Sequence, residues 1–210
     1  MRGLPSLSRL GSRSGSRHGL RLGLAAVVVA AGALGGCAPK AKTPEEAYRR
    51  FSQAVRSGDG GALFDAVDPN TRWAWMSVQK WHREAYDIVL SNFPEGPARE
   101  RELRRFQAGA TATSGRELFR AEVAGTLPLL APLVAADAKI EVDATMGDQA
   151  AAVLVSGIRV SLRRGGNGAW GFAGLAAQAE EQKIRAYHDL ETVRASAADY
   201  ERAAARAAVR

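Results

Sequence analysis

The stretch KIEVDATMGDQAAAVLVSGIRVSLRRGGNGAWGFA, residues 139–173, decides the fold. Its apolar period is two: Ile140, Val142, Ala144 and Met146 alternate with Glu141, Asp143 and Thr145, the pattern of a strand with one face on a core and one in water. Gly147-Asp148 turns the chain. Residues 150–155 and 158–164 are further strand-like runs, and the Ser156-Gly157 between them fits either a hairpin or a bulge in one long strand. Gly165-Gly166-Asn167-Gly168 is a hairpin loop into residues 169–173, which puts Trp170 and Phe172 on one face. The segment is therefore an antiparallel meander.

Everything between residues 43 and 138 has a helical period instead. Thr43 has the position of an N-cap, with Pro44 at the first helical position and Glu46 three residues after the cap. This first helix is expected to run to about Ser57, with Ala47, Tyr48, Phe51, Ala54 and Val55 on its core face. A short helix over 62–67 follows. Asp68-Pro69-Asn70 breaks it, and Asn70 or Thr71 is expected to cap a long helix to about Ser91. Ala74, Val78, Trp81, Ala85, Ile88 and Val89 form the apolar stripe of that long helix.

Residues 98–108 are dense in Arg and Glu around Leu103 and Phe106, the composition of a solvated amphipathic helix. Residues 109–115 read as a small polar loop and 116–125 as a short helix. The apolar run Leu127, Leu129, Leu130, Leu133 and Val134 is broken by Pro128 and Pro132 and is expected to be buried, being too short and kinked to enter a bilayer. Helices first and a meander after them define an α+β domain. Past it, residues 176–210 hold neither glycine nor proline. A narrow seam of Ile184, Tyr187, Leu190, Val193, Ala197, Tyr200, Ala204 and Ala207 gives a helix of roughly 50 Å at about 1.5 Å per residue. The seam is mostly alanine, too weak for a robust coiled coil, so the helix is expected to pack on the domain or on a partner at its start and to fray toward Arg210, as an arm for an envelope protein partner or as a solvated tail.

The N-terminal 36 residues are of another kind. Arg2, Arg9, Arg13, Arg17 and Arg21 stand in a segment without acidic residues, and an apolar run over 22–34 follows. A basic start, a short apolar run and small residues make a secretory signal peptide, and roughly 20 apolar residues would be needed to span a bilayer. Leu34-Gly35-Gly36-Cys37 resembles the lipobox of bacterial lipoproteins. The resemblance implies cleavage before Cys37, acylation of its thiol and amino terminus, and a membrane anchor through acylated Cys37, with residues 37–42 as tether. Ala38 after the cysteine implies the outer membrane, facing the periplasm, with the inner membrane and the cell surface as the other placements. A single acyl chain holds a protein only marginally, whereas several hold it durably.

Removal of residues 1–36 from the 210 leaves 174, and five arginines depart with them. The 29 Lys+Arg against 22 Asp+Glu of the whole chain become 24 against 22, a net charge of about +2 that supports no nucleic-acid reading. With Cys37, the only cysteine, committed to lipid, neither a disulfide nor a thiol nucleophile is available. Two remaining histidines, His82 and His188, are too few and too separated for an imidazole metal site, and no cofactor motif is present.

An opening helix with an aromatic face, a Gly-Asp break, Leu63-Phe64-Asp65-Ala66-Val67 and a late meander ending Gly165–Phe172 together resemble the cystatin-like fold of the nuclear transport factor 2-like superfamily, in its uncharacterised lipoprotein branch. The resemblance covers residues 43–175 and departs from the family over 109–137. It implies N-terminal helices packed on a curved antiparallel meander sheet, a cystatin-like cone, whose cavity binds a ligand, pairs with a partner or second copy as a homodimer, or catalyses. Two readings of function follow. One is a non-catalytic ligand- or partner-binding module; the other is a small-molecule enzyme using His82 or a buried carboxylate. Trp75, His82 and Tyr86, at spacings of seven and four on the long helix, are the ligand-pocket candidates, with His82 as proton acceptor and Trp75 as stacking surface. Glu141 with Asp143 is a second, weaker candidate for paired acid and base work, since their alternation with apolar residues puts them on the solvent side.

Overall fold

The computed structural model describes residues 40–142 and 147–209. Cys37, the segment before it, Asp143 and Met146 lie outside them.

Helix α1 (Pro44–Ser57) starts as its sequence dictates: the Thr43 hydroxyl accepts from the Glu46 N–H at 3.2 Å, and Pro44 needs no partner for the N–H it lacks. Glu46 reaches back to accept the Lys42 N–H at 2.8 Å, one residue upstream of the usual reciprocal partner. Helix α2 (Gly60–Ala66) is capped by the Asp59 carboxylate, which accepts from Gly61 and Ala62. Helix α3 (Pro69–Asn92) begins earlier than the sequence suggests. Its cap is Asp68 rather than Asn70 or Thr71, because Pro69 is itself preorganised for the first helical position, so the break falls one residue before it.

Helix α4 (Pro97–Thr111) extends three residues past the expected end, through Gly109. A Cβ at Gly109 would stand 2.4 Å from the Cβ of His82, so glycine lets α4 approach α3 at this point. Helix α5 (Gly115–Val123) and a 3₁₀ helix (Leu127–Leu133) complete the helical half. The expectation of a buried apolar run at 127–134 needs correction: Leu127 is buried, but Leu129 is 74% exposed and Leu130, Leu133 and Val134 are half-buried. Three-residue periodicity spreads those side chains around the 3₁₀ axis, so one wall cannot cover them all.

The sheet is a plain antiparallel meander, β1 (Lys139–Val142), β2 (Gln149–Val153), β3 (Arg159–Arg164) and β4 (Trp170–Phe172), in the order β1-β2-β3-β4. The undecided Ser156-Gly157 is a hairpin: Leu154 N–H donates to Ile158 O at 2.9 Å and Gly157 N–H to Leu154 O at 2.8 Å. Register explains the alternation. Ile140, Ala152 and Val160 form one inward row, and Ala150, Leu162 and Phe172 the next, with Val142 in register at its end but 54% exposed, while Glu141, Ala151 and Ser161 face outward. Helix α1 packs across all four strands, with Phe51 stacked on Phe172 at a centroid distance of 4.1 Å. The fold is thus α+β, with helices outweighing the sheet.

Two further contacts close the β4 edge. Along the edge of β4 away from β3, Trp170 N–H donates to Ala41 O at 3.0 Å, and two residues further on Val67 bridges Phe172 in parallel, where Asp68 N–H donates to Phe172 O at 2.9 Å.

Helix α6 (Ala176–Ala208) lies along α3. Its Leu190, Val193 and Ala197 join Ala85 and Val89 of α3, Phe93 just past the end of that helix, and Phe106 of α4 in a second hydrophobic core. Beyond Tyr200, whose ring meets Phe93 edge-on at 4.9 Å, residues 201–209 are exposed. The seam read from the sequence is therefore consumed within the chain from Leu190 to Tyr200, whereas Ile184 and Tyr187 at its start remain 50% and 45% exposed.

Two stability outcomes follow from this packing. A Cβ at Gly171 would fall 2.5 Å from the backbone of Val67 and Asp68, so Gly171→Ala is expected to destabilise the domain by about 3 kcal/mol in urea unfolding. Ending the chain after Tyr200 should shift the melting temperature by no more than a degree or two. Ending it after Ala186, which removes Leu190, Val193 and Ala197 at about 1.5–3 kcal/mol for each large apolar side chain, should abolish the cooperative transition.

Candidate functional site

Helix α3 is 24 residues long, and the three residues picked from one of its faces fall in different surroundings. Trp75 lies in the first core, its ring edge-on to Phe119 at 5.5 Å, and is 6% exposed. Tyr86 is half-buried against the second core. His82 sits between them, its ring 5.6 Å from that of Phe106 and its Cβ over Gly109. The structure does not gather the three around a common cavity.

Burial pushes the His82 pKa below its ordinary value, since an imidazolium in this apolar seam would lose hydration. The Asp189 carboxylate on α6 opposes that shift, and the Arg105 guanidinium on α4 reinforces it. Arg105 is in turn ion-paired to Asp189. His82 is thus a neutral packing residue near pH 7.

The buried carboxylate of the described residues is Asp68, which is fully enclosed. One oxygen accepts the Asn70 N–H at 3.0 Å and the other the Thr71 hydroxyl. Those bonds cap α3. Glu141 is ion-paired with Arg159 at 2.9 Å across the outer sheet face, and its companion Asp143 lies outside the described residues. Among the described residues no three of His, Cys, Asp and Glu gather where they could share a metal ion. No described helix is long and apolar enough to cross a membrane.

A cavity does form elsewhere, of about 760 Å³, between α1 and the segment entering β1. Tyr48 builds it: its hydroxyl accepts the Ala135 N–H at 2.8 Å and lies 3.2 Å from the carbonyl oxygens of Leu133 and Ala135. That fastening holds residues 133–135 against α1 and leaves a groove floored by Tyr48, Ala135, Ala138 and Ile140. The wall is the flank of α1 carrying Arg49, Ser52, Gln53 and Arg56, at i, i+3, i+4 and i+7. Ser52 is 5% exposed, and its hydroxyl has no hydrogen-bond partner. Neither Arg49 nor Arg56 takes part in a salt bridge or hydrogen bond among the described residues. Arg49 and Arg56 look like ordinary surface cations in the sequence. The usable signal was their repeat on the flank beside Tyr48.

A second hollow, of about 680 Å³, lies between α3 and the start of α5, where Trp73 is 65% exposed and Met76 46% exposed.

Compared with known proteins, the chain matches no family model, no curated protein and no solved structure.

The His82 environment fixes a pH dependence. A histidine whose pKa is lowered by folding binds protons more readily when unfolded, so its contribution is complete above the unfolded value near 6.5 and is lost as pH falls through the folded one. Thermal melts taken from pH 7.5 down to pH 5 should show falling stability over that window. In His82→Gln the fall should be shallower, and an unchanged slope would show that other groups carry it.

Proposed function

We propose that the chain is a lipid-anchored protein of the bacterial cell envelope whose α+β domain is a non-catalytic binding module. The observation that carries the binding half is the α1 groove. It offers a buried hydroxyl without a partner and two guanidinium groups engaged in no salt bridge or hydrogen bond among the described residues, around an apolar floor, which is binding equipment, whereas the groups suited to proton transfer are committed to structure. His82 is walled by Phe106, and Asp68 caps a helix.

The anchoring half rests on the sequence around Cys37. A basic start, an apolar run, Leu34-Gly35-Gly36 and a single cysteine stand in the order required for lipoprotein processing. The described domain begins only a few residues later: Ala41 is already bridged to Trp170. With a tether of about five residues at no more than 3.6 Å each, the domain would sit within about 20 Å of the lipid surface.

Helix α1 lying across the whole meander supports the resemblance to the cystatin-like fold of the nuclear transport factor 2-like superfamily. In that reading the groove takes the part of the cavity through which such a domain meets its ligand.

Metabolic labelling with palmitate tests the anchor. The wild-type chain should take up label and fractionate with the outer membrane. Cys37→Ala should take up none and accumulate as a precursor about 36 residues longer. Label retained by the variant would remove the anchor from the reading and leave the groove untouched.

A further inference from the structure

Taking as given that the domain is a binding module, we infer that the α1 groove binds the carboxylate end of a long-chain amphiphile, with its acyl chain along the apolar floor. The first ground is shape. A cavity of about 760 Å³ is in the range that encloses a small organic ligand, and its floor of Tyr48, Ala135, Ala138 and Ile140 has no charged group. Such a surface suits a hydrocarbon chain.

The second ground is polar and independent of the first. The Ser52 hydroxyl is more than nine-tenths buried, lines the groove and has no partner. A buried polar group in that condition has a free-energy cost that a ligand oxygen would relieve. Gln53 stands beside it, and Arg49 and Arg56 flank the pair two helical turns apart. The two Cα atoms are about 10.5 Å apart along the axis, so two long side chains can converge on one anion set over Ser52. Neighbouring Arg50 is different, being paired with Glu46.

Charge sets the class of anion. Glu45 lies on the same groove one turn before Arg49 and repels negative charge at that end, which places the headgroup toward Arg56. That is the C-terminal half of α1, where the helix dipole also disfavours anions. Two guanidinium groups working against a carboxylate and a dipole end suit a single negative charge better than a phosphate dianion. A planar carboxylate also takes paired N–H donors from arginine. The hydrocarbon then extends from Ser52 toward Ala138 and Ile140.

The test uses the full chain with Cys37→Ser, so that no acyl group of its own competes, and a dansyl-labelled undecanoate probe below its micelle concentration. Oleate should displace the probe at least tenfold more effectively than oleyl alcohol, which has the same chain without the charge. Arg49→Gln and Arg56→Gln, both at exposed positions, should each weaken oleate about tenfold with unchanged thermal melts, as expected for loss of one charge-assisted contact. Ser52→Val should weaken it as well.

Equal displacement by oleate and oleyl alcohol would overturn the assignment. So would probe binding indifferent to both arginine substitutions, or stronger displacement by oleyl phosphate than by oleate. Complete absence of binding would overturn it too, and would leave the Cys37 labelling result, on which the envelope reading stands, unaffected.

Discussion

The rest of the structure depends on the backbone contact between Val67-Asp68 and Gly171-Phe172. There the end of α2, the start of α3 and the last strand of the meander meet within one residue of each other. Asp68 N–H donates to Phe172 O, and the Asp68 carboxylate turns the other way to cap α3. No side chain fits between them: the missing Cβ of Gly171 is what allows the two backbones to touch. A buried carboxylate is costly unless its oxygens are satisfied, and here the Asn70 N–H and the Thr71 hydroxyl do so. The same residue therefore fixes where the long helix begins and how the sheet is oriented against it. Phe172, held at this junction, presents its ring to Phe51 of α1, and α1 carries the groove.

The helical layer obeys a separate constraint. Helix α3 is long enough to take part in two cores, one against α5 and the sheet side, the other against α4 and α6. Gly109 makes the second possible by letting α4 close on His82, after which Phe106 fills the space beside the imidazole. The exposed ion pair between Arg194 and Glu84, and the hydrogen bond from the Asn92 amide to Glu201, add specificity of register more than stability, since such surface contacts contribute about 0–1 kcal/mol.

Local chemistry was readable in the sequence; pairing across distance was not. The Thr43 cap, the Gly165–Gly168 turn and the shared face of Trp170 and Phe172 are all set by residues within four positions of one another, and each is where its pattern puts it. The alanine-rich seam of α6 is too weak for a robust coiled coil, because alanine contributes little by itself, and the sequence left open whether the domain or a partner receives it. Its partners Val89, Phe93 and Phe106 supply the bulk, and they lie about a hundred residues away. Spacing of seven and four placed Trp75, His82 and Tyr86 on one face of α3 correctly, yet a face that crosses two cores is not one environment. The start of α3 was misplaced for a smaller reason: proline reads as a breaker, although at the first helical position it is an initiator.

The groove was hidden for the same reason as the second core. Arg49, Ser52, Gln53 and Arg56 occupy the flank of α1 that a hydrophobic stripe analysis assigns to water. Only the return of residues 135–140, fastened by the Tyr48 hydroxyl, converts that flank into a wall. Tyr48 thereby links the two levels of the molecule: its ring lies 6.2 Å from Phe51 in the core, and its oxygen holds the rim of the groove. An aromatic residue that buries its body and gives its hydroxyl to a passing backbone is a means of building a cavity beside a core without opening the core itself. In this chain that device leaves a serine hydroxyl buried without a partner. A cost of that kind is sustained where a ligand offsets it, so the groove is the place where the stability of the fold and its capacity to bind meet.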